Sequence, residues 1–344
     1  MDERVREVLA GEEAWVVGGA VRDALLGRPV VDLDVACRAP EEAARRYAAR
    51  FGGASFPLSE QHGAWRVVVP GSEETVDFTP LPDGIERDLA TRDFTFNAIA
   101  VPVGGGEPAD PHGGRADLEA RVVRAVSEDV FRADPLRLLR AVRFEDELGF
   151  RLDEATEALV RRDAELVTRP SGERLLAELR RLSANGFRRL GELGLLAPLG
   201  GSADGRLDAR DDPDFRLVAV FGEGLARFPV SNRLRRYATT LLRARAPADA
   251  SARAIHRFRR ATEPWALDAL DFVGASALAG AVVEARRRDP PAPLVRGDEL
   301  GLPPGPLVGR ILDAIAEERA AGTIATREEA LALARELAGR EDEP

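Results

Sequence analysis

Two aspartates separated by one residue, Asp32 and Asp34, are the feature that most constrains the fold of this chain. They lie in Val30–Ala36, where apolar and polar residues alternate, which predicts a β-strand with one face turned outward. Residues i and i+2 of a strand point to the same face, about 6–7 Å apart, so the two carboxylates repel each other. A divalent cation such as Mg²⁺ removes that repulsion, because it accepts one or two carboxylates together with phosphate oxygens. Taken alone, the pattern is also that of a solvated strand face.

The residues before this strand predict a phosphate-binding turn. A short apolar strand, Ala14–Val17, ends at Gly18 and Gly19, and a helix follows. Glycines there let backbone N–H groups approach a phosphate, and the start of a helix favours anions. Arg22 adds a forked cation suited to phosphate oxygens. A strand, a Gly-Gly turn, a helix and a second strand carrying two aspartates therefore predict a site for a metal and a phosphorylated ligand.

Asp77 is a third candidate carboxylate. It lies at an alternating position of another predicted strand, Thr75–Thr79, which follows a strand predicted at Trp65–Val69. We therefore count Asp32, Asp34 and Asp77 as candidate catalytic residues, with Asp32 and Asp34 as the candidate metal ligands.

The pattern of elements changes near Gly113-Gly114. Before it, short strands and the helix Pro40–Phe51 indicate an α/β unit; after it, amphipathic helices dominate. We expect helices at residues 135–148, 154–164, 172–183 and 326–337, separated by breakers such as Leu199-Gly200-Gly201-Ser202. The predicted domains are a mixed-sheet head over residues 1–118, a helical neck over 119–186, and a helical body and tail over 187–344.

The composition predicts a cytoplasmic globular protein. Apolar residues make up 44% and charged residues 31%, and no apolar run approaches the about 18 residues that a membrane span needs. The single Cys37 excludes an internal disulfide, and three scattered histidines (His62, His112 and His256) argue against a histidine–metal site. The net charge of −10 argues mildly against a nucleic-acid partner, but a basic surface on an acidic body is compatible with it.

The segment GGAVRDALLGRPVVDLDVA, Gly18 to Ala36, resembles the signature of the bacterial and eukaryotic-type tRNA nucleotidyltransferases and the related bacterial poly(A) polymerases. Four further motifs follow in the family's order: RDFTFNA from Arg92, DPHGG from Asp110 with Asp117-Leu118, DPLRLLRAVRF from Asp134, and GER from Gly172. The motifs cover residues 14–185, and the helices from Arg296 to Ala338 resemble the family's C-terminal region.

The resemblance implies a polymerase β-like palm in an α/β nucleotidyltransferase head, followed by an all-α neck, body and tail. It implies that Mg²⁺ bound by Asp32 and Asp34 assists transfer of a nucleotide from CTP, and in some members ATP, to the 3′ end of tRNA. Within the head, it places the nucleotide against Gly18, Gly19, Arg22, Asp23, Arg92, Asp93 and Asn97. From the neck it adds Asp134, Arg137, Arg140 and Arg143, with Asp134 and Arg137 expected on one helix face as a protein template for the base. Without the resemblance, that pair would be an ordinary surface ion pair.

This chain departs from the family pattern at three places. Ala133 stands where the family usually has a glutamate, and Thr91 stands where it often has an arginine. Members that add the terminal A usually carry a flexible loop of a dozen or more residues after the strand of Asp77, whereas this chain has only residues 78–87. The short segment favours a CC-adding enzyme, with a separate A-adding enzyme acting afterwards.

Several other functions stay open at this point. They are a full CCA-adding enzyme, a poly(A) polymerase, a small-molecule nucleotidyltransferase and a non-catalytic RNA-binding relative. The acidic end, residues 339–344, argues against a poly(A) polymerase with a basic extension. For tRNA binding by the body we name five arginines, for which a solvated helix face is an equal explanation: Arg253, Arg257, Arg260, Arg286 and Arg287.

Overall fold

The computed structural model describes residues 3–59, 63–71, 74–203, 205–290 and 292–341. His62 and residues 342–344 of the acidic end lie outside these ranges. The chain folds into two compact units, residues 1–200 and 201–344. The division falls within the predicted breaker at Leu199–Ser202. The finer head and neck boundaries stay a prediction.

A six-stranded mixed sheet is the centre of the first unit. Its strands are β1 (Ala14–Val17), β2 (Asp32–Cys37), β3 (Ala54–Ser59), β4 (Ala64–Val68), β5 (Thr75–Pro80) and β6 (Ala100–Pro102). They are ordered β3-β4-β5-β2-β1-β6. The pair β2 and β5 is parallel and the other pairs are antiparallel. The strand that carries Asp32 and Asp34 is therefore central, and the strand of Asp77 is its direct neighbour.

Five helices accompany the sheet: α1 (Glu3–Val8), α2 (Gly19–Leu25), α3 (Pro40–Phe51), α4 (Ile85–Ala90) and α5 (Gly114–Ala120), with a 3₁₀ turn at Thr95–Asn97. Helix α3 has the predicted bounds. One part of the core consists of small and branched side chains from β1, β2, α4 and β6, among them Val17, Ala36, Leu89 and Ala100. These buried contacts hold the end of β1, directly before Gly18, against β2.

Helices α6 (Val130–Ala133), α7 (Arg137–Leu148), α8 (Glu154–Arg162), α9 (Gly172–Leu179) and α10 (Ala184–Glu192) complete the first unit. The short strands β7 (Val122–Val123) and β8 (Arg151–Leu152) pair in parallel within this part, and a 3₁₀ turn follows α8 at Ala164–Thr168. The predicted helices at 154–164 and 172–183 are present but end earlier, at Arg162 and Leu179.

In the described part of the second unit, every regular element is a helix or a 3₁₀ turn. The unit contains α11 (Pro213–Phe221), α12 (Asn232–Arg243), α13 (Ala252–Thr262), α14 (Ala266–Phe272), α15 (Ala279–Arg287), α16 (Pro306–Ala321) and α17 (Arg327–Glu341). Four 3₁₀ turns connect them, at Gly205–Asp208, Gly222–Arg227, Ser276–Leu278 and Gly297–Leu300. One hydrophobic cluster joins α13, α14 and α15, and another joins α16 and α17. Over the part of the chain that is described, no helix has the length and apolar character to cross a membrane.

Candidate active site

The register of β2 against β5 places the predicted carboxylates side by side. Asp34 lies opposite Asp77, and Asp32 lies opposite Thr75, whose Oγ1 donates a hydrogen bond to Asp32 Oδ1 at 2.6 Å. Asp32 and Asp34 both line one polar cavity of about 590 Å³, whereas Asp77 does not. Two of the three carboxylates are therefore available to a ligand in this cavity.

The environment of Asp34 disfavours the ionised form of its carboxyl group. Burial, together with the nearby carboxylates of Asp77 and Asp32, raises the pKa of Asp34 to about 6, although Arg92 and Arg66 oppose the shift. A cluster of carboxylates that lacks enough positive charge fits a divalent cation, which would restore the ionised form. Within the described ranges, no group of three or more histidine, cysteine, aspartate or glutamate side chains is arranged to hold a metal ion. A cation here would be held by Asp32 and Asp34, with its other positions filled by water and ligand oxygens.

Asp77 is engaged by an arginine. Arg66, its cross-strand partner on β4, donates from Nε and Nη2 to the two carboxylate oxygens, each at 2.7 Å. To reach a metal, Asp77 would first have to release one of these charge-assisted bonds. A catalytic role for Asp77 stays a prediction, and the geometry gives it the role of holding Arg66 beside Asp34.

The Gly-Gly turn forms one wall of the cavity. Gly18 has φ 69° and ψ −133°, a conformation that side-chain-bearing residues rarely adopt. A Cβ atom at Gly18 would lie 3.2 Å from Arg92 Nη1 and 3.4 Å from Asp34 Oδ2. The turn thus brings the backbone against both the candidate metal ligand and its neighbouring arginine, and a side chain at Gly18 would require Arg92 to shift by a few tenths of an ångström.

Arg22 is held rigidly at the start of the site. It donates from Nε and Nη2 to Asp23, at 3.0 and 2.7 Å, and from Nη1 to Asn97 Oδ1 at 2.9 Å. Its guanidinium also lies 5.1 Å from the ring centroid of Phe144. Among the described residues these bonds use three of its five N–H donors, which leaves two for a phosphate. Asp23 and Asn97 therefore act here by orienting Arg22.

Asp93 is a buried organising carboxylate. Its Oδ1 accepts from Phe94 N at 2.8 Å and from Asn97 Nδ2 at 2.9 Å, and its Oδ2 accepts from Arg140 at 2.6 Å. Burial alone would raise its pKa, but Arg140 and these hydrogen bonds outweigh burial and lower it. Contact between Asp93 and a ribose, which the resemblance implies, stays a prediction.

The expectation that Asp134 and Arg137 share a helix face is wrong. Helix α7 begins at Arg137, and Asp134 lies before it in an extended conformation, with φ −143° and ψ 99°. Pro135 is the physical reason, because its ring disfavours the helical conformation for the preceding residue. Both side chains still line the same cavity.

Each of these two residues has another partner. Asp134 Oδ2 accepts from Arg174 Nη2 of α9 at 2.7 Å. Arg137 instead donates to backbone carbonyls, to Thr91 O at 2.7 Å and to Arg92 O at 3.3 Å. The acceptor and the forked donor of the expected base template are thus each held by a different partner, Asp134 by Arg174 and Arg137 by the backbone carbonyls.

A buried ion pair supports the helix that carries these residues. Arg143 Nε donates to Glu178 Oε2 at 2.5 Å, and both side chains are nearly buried. Arg143 Nη1 also donates to Glu147 at 2.6 Å, and Arg140 lies 3.5 Å from Glu178. The guanidinium of Arg143 covers the Phe144 ring at 4.1 Å. Helices α7 and α9 are therefore joined beneath the cavity by charge pairs.

All eleven predicted nucleotide-binding residues line the one cavity: Gly18, Gly19, Arg22, Asp23, Arg92, Asp93, Asn97, Asp134, Arg137, Arg140 and Arg143. Six further residues line the cavity without having been predicted for the site: Pro29, Val31, Leu136, Phe144, Arg174 and Arg181. All of them except Arg181 lie inside the quoted motifs, so their motif membership was the available signal. Seven arginines and five aspartates line the cavity. This excess of positive charge suits a polyanionic ligand, and the paired Asp32 and Asp34 suit its metal.

The five arginines named for RNA binding all have acidic partners. Arg253 and Arg257 of α13 pair with Glu317 and Glu318 of α16, and Arg260 pairs with Asp313. Arg286 pairs with Glu263, and Arg287 lies 3.9 Å from Glu284. Since these charges are neutralised within the second unit, an RNA contact by any of them stays a prediction and would require an ion pair to open.

The chain matches the family described as the Poly A polymerase head domain over residues 14–81 and 67–124. It is 49% identical over 174 residues to a CC-adding tRNA nucleotidyltransferase of Geobacter sulfurreducens. That alignment covers 50% of this chain and 40% of the relative. It is 35% identical over 414 residues to an A-adding tRNA nucleotidyltransferase of Deinococcus radiodurans, spanning 93% of this chain and 94% of that relative. The crystal structure of a Bacillus stearothermophilus CCA-adding enzyme in complex with CTP matches with a TM-score of 0.77 at 28% identity, over 99% of each chain.

Proposed function

The chain belongs to the family of tRNA nucleotidyltransferases and poly(A) polymerases, and we propose that it adds CMP to the 3′ end of tRNA without a nucleic-acid template. The tRNA 3′-oxygen attacks the α-phosphorus of CTP, and the bond between that phosphorus and the pyrophosphate oxygen breaks. The observation that carries the proposal is the shared cavity, where two candidate metal ligands, a glycine turn and arginines from head and neck residues meet.

The residues of the cavity have three proposed roles: metal binding, phosphate binding and orientation of the arginines. Asp32 and Asp34 would hold Mg²⁺, which when bound favours deprotonation of the attacking hydroxyl and neutralises the departing pyrophosphate. Gly18 and Gly19 leave room for the triphosphate, and Arg22 supplies its two remaining donors to phosphate oxygens. Asp23 and Asn97 hold Arg22, and Asp93 holds Arg140, by hydrogen bonds that exist before the ligand binds.

Asp134 and Arg137 would select the base. Cytosine presents an N4 donor beside the N3 and O2 acceptors, which matches a carboxylate on one side and a guanidinium on the other. Arg174 holds the carboxylate, and the carbonyls of Thr91 and Arg92 hold the guanidinium. A base that leaves these polar groups unpaired would be rejected.

The segment after β5 supports restriction to cytidine. It is short and packed: Leu81 N donates to Cys37 O at 2.9 Å, and the side chains of Leu81, Ile85 and Leu89 are buried. A conformational change from C to A selection needs a mobile element, and this segment is fixed in the core. We therefore propose CC addition, with a separate A-adding enzyme completing the end.

A second candidate is addition of the terminal A, because the A-adding relative is similar over nearly the whole chain at 35% identity. A CC-adding relative of Thermus thermophilus matches 94% of this chain at 33% identity, so experiment has to decide between the two. The deciding experiment offers purified protein and Mg²⁺ three matched substrates: tRNA lacking all three terminal residues, tRNA ending in C, and tRNA ending in CC. Each is given CTP alone or ATP alone. CC addition predicts incorporation of two, one and no cytidines, and no product with ATP.

The other outcomes identify the other functions. Single A addition to tRNA ending in CC, with no use of CTP, would make the protein an A-adding enzyme. Use of both nucleotides in turn would make it CCA-adding. Long A tracts on unrelated RNA would indicate a poly(A) polymerase, and no incorporation by protein that binds tRNA would indicate a non-catalytic relative.

A further inference from the structure

The stretch of residues 224–248 is strongly basic in an acidic protein. It contains no aspartate or glutamate, although the whole chain carries a net charge of −10. Its six arginines are Arg227, Arg233, Arg235, Arg236, Arg243 and Arg245. All six are exposed. This concentration of one sign of charge is centred on α12.

The two sides of α12 differ in chemistry. Leu234, Tyr237 and Leu241 are buried on the inner side. Arg236 and Arg243 are seven residues apart and therefore lie on nearly the same line of the helix, about 10 Å from each other. Together with Arg233 and the polar residues Asn232, Thr239 and Thr240, they form an outer face, here called the α12 outer face.

The arginines of this face form no ion pair with the described residues. No carboxylate among the described residues lies within ion-pair distance of Arg233, Arg236 or Arg243. In contrast, Arg253, Arg257 and Arg260 of α13 each pair with an acid of α16. Arg243, at the end of the helix, also interacts favourably with the helix dipole, but Arg233 at its start does the opposite. Helix stability thus does not account for the set.

We propose that the α12 outer face binds the phosphate backbone of RNA. Guanidinium groups bind phosphate oxygens with two parallel hydrogen bonds, and Thr and Asn side chains are common additional donors. Such contacts position the RNA without reading its sequence. The identification of this RNA as tRNA rests on the proposed function. RNA binding by the α12 outer face rests on its charge and exposure alone.

The shape of the helix favours RNA over an anionic membrane. A helix that lies in a membrane surface buries an apolar side in the lipid. The apolar side chains of α12, Leu234, Tyr237 and Leu241, are already buried within the second unit. The side that faces outward carries arginine, asparagine and threonine side chains.

The test compares three full-length variants that each lose three positive charges. The first replaces Arg233, Arg236 and Arg243 by Gln on the α12 outer face. The second replaces Arg253, Arg257 and Arg260 by Gln on α13. The control replaces Arg38, Arg45 and Arg50 by Gln, three exposed arginines that each pair with a glutamate in the first unit. Circular dichroism and thermal unfolding confirm that each variant is folded.

Binding of tRNA lacking its 3′ end is measured by fluorescence anisotropy from 50 to 200 mM NaCl, without nucleotide. The α12 variant should bind at least about tenfold more weakly at 100 mM salt, and the slope of log affinity against log salt should become shallower by about 2 to 3, one unit or slightly less per lost phosphate contact. The α13 and control variants should stay within about twofold of the parent, since intramolecular partners already neutralise their arginines.

Three results would overturn the proposal. They are parental binding and salt slope in the α12 variant, loss of binding in the α13 variant alone, or an α12 variant that loses affinity for phosphatidylglycerol vesicles but not for RNA. Nucleotide addition separates this proposal from the function. If the parent adds nucleotides and the α12 variant has the same KM for tRNA, the RNA-binding role of the α12 outer face is refuted. If tRNA binding depends on α12 but the parent adds no nucleotide, the proposed function is refuted and the RNA-binding role stands.

Discussion

Replacing Gly18 by Ala, compared with the same change at Gly19, tests the geometry of the site most directly. Gly18 has φ 69° and ψ −133°, which costs a side-chain-bearing residue about 1–3 kcal/mol. Its new Cβ would also meet Arg92 Nη1 at 3.2 Å and Asp34 Oδ2 at 3.4 Å. At Gly19, the first residue of α2, a Cβ would lie 3.6 Å from Arg22 Nη2, an ordinary contact. Alanine there should favour the helix by less than the about 1 kcal/mol that it contributes in a helix interior.

The single cysteine provides a local measurement of this difference. Cys37 is buried at the end of β2, and burial raises the pKa of its thiol to about 11, so a thiol reagent at pH 8 reacts only when this strand opens. A loss of 1–3 kcal/mol in Gly18→Ala should accelerate labelling by about 5- to 150-fold. Gly19→Ala should label no faster than the parent.

Activity should fall in the Gly18→Ala variant. A displacement of Arg92 by a few tenths of an ångström beside Asp34 should reduce CMP incorporation by about tenfold, less than the about 100-fold that a full ångström can cost. Gly19 lines the same cavity and is a proposed phosphate-binding residue, so Gly19→Ala is the control for labelling and not for turnover. Equal labelling rates in the two variants, or parental turnover in Gly18→Ala, would refute the assignment of Gly18 as the close-approach residue of the site.

Three further substitutions test the chemistry and the support of the cavity. Asp34→Asn should abolish incorporation and leave the head at least as stable, because its burial already disfavours the charged form; parental turnover, or a lower unfolding midpoint, would contradict this. Asp134→Ala should reduce the preference for CTP over UTP more than it weakens triphosphate binding, a ratio obtained from kcat/KM for each nucleotide, and an unchanged ratio would remove Asp134 from base selection. Glu178→Gln removes the more buried of the two carboxylates that pair with Arg143 and should cost about 1.5–3 kcal/mol in urea unfolding, because Glu147 still compensates part of the charge. Glu147→Gln, at the more exposed partner of Arg143, is the control and should cost about 1 kcal/mol or less.

The local parts of the site could be predicted from the sequence because short-range patterns determine them. Alternation placed Asp32 and Asp34 on one face of a strand, and Pro40 at the first position of α3 fixed the start of that helix. Strand β3 was missed because it is an edge strand that contains Pro57 and follows two glycines, a composition typical of a loop.

The long-range pairs could not be predicted, because a single sequence does not say which distant residues meet. Arg174 and Asp134 are 40 residues apart, and the ion pairs between α13 and α16 join residues 53 to 65 positions apart. The start of α7 is a different case. The rule that Pro135 disfavours a helical Asp134 was available from the sequence, and the helical pattern that follows was extended past it in error.

The hydrogen bonds that hold Arg137, one of the two proposed base-selecting residues, connect specificity to the segment after β5. Arg137 is held by the carbonyls of Thr91 and Arg92, which come directly after α4, and α4 is fixed in the core by Ile85 and Leu89. Any rearrangement that presents Arg137 differently to a second base must break these bonds or move α4. Only residues 81–84 lie between β5 and α4, and Leu81 N is bonded to Cys37 O, so α4 has little freedom to move. A site whose donor is fixed to the core can complement one base well, which is the physical ground for expecting cytidine addition to end at CC.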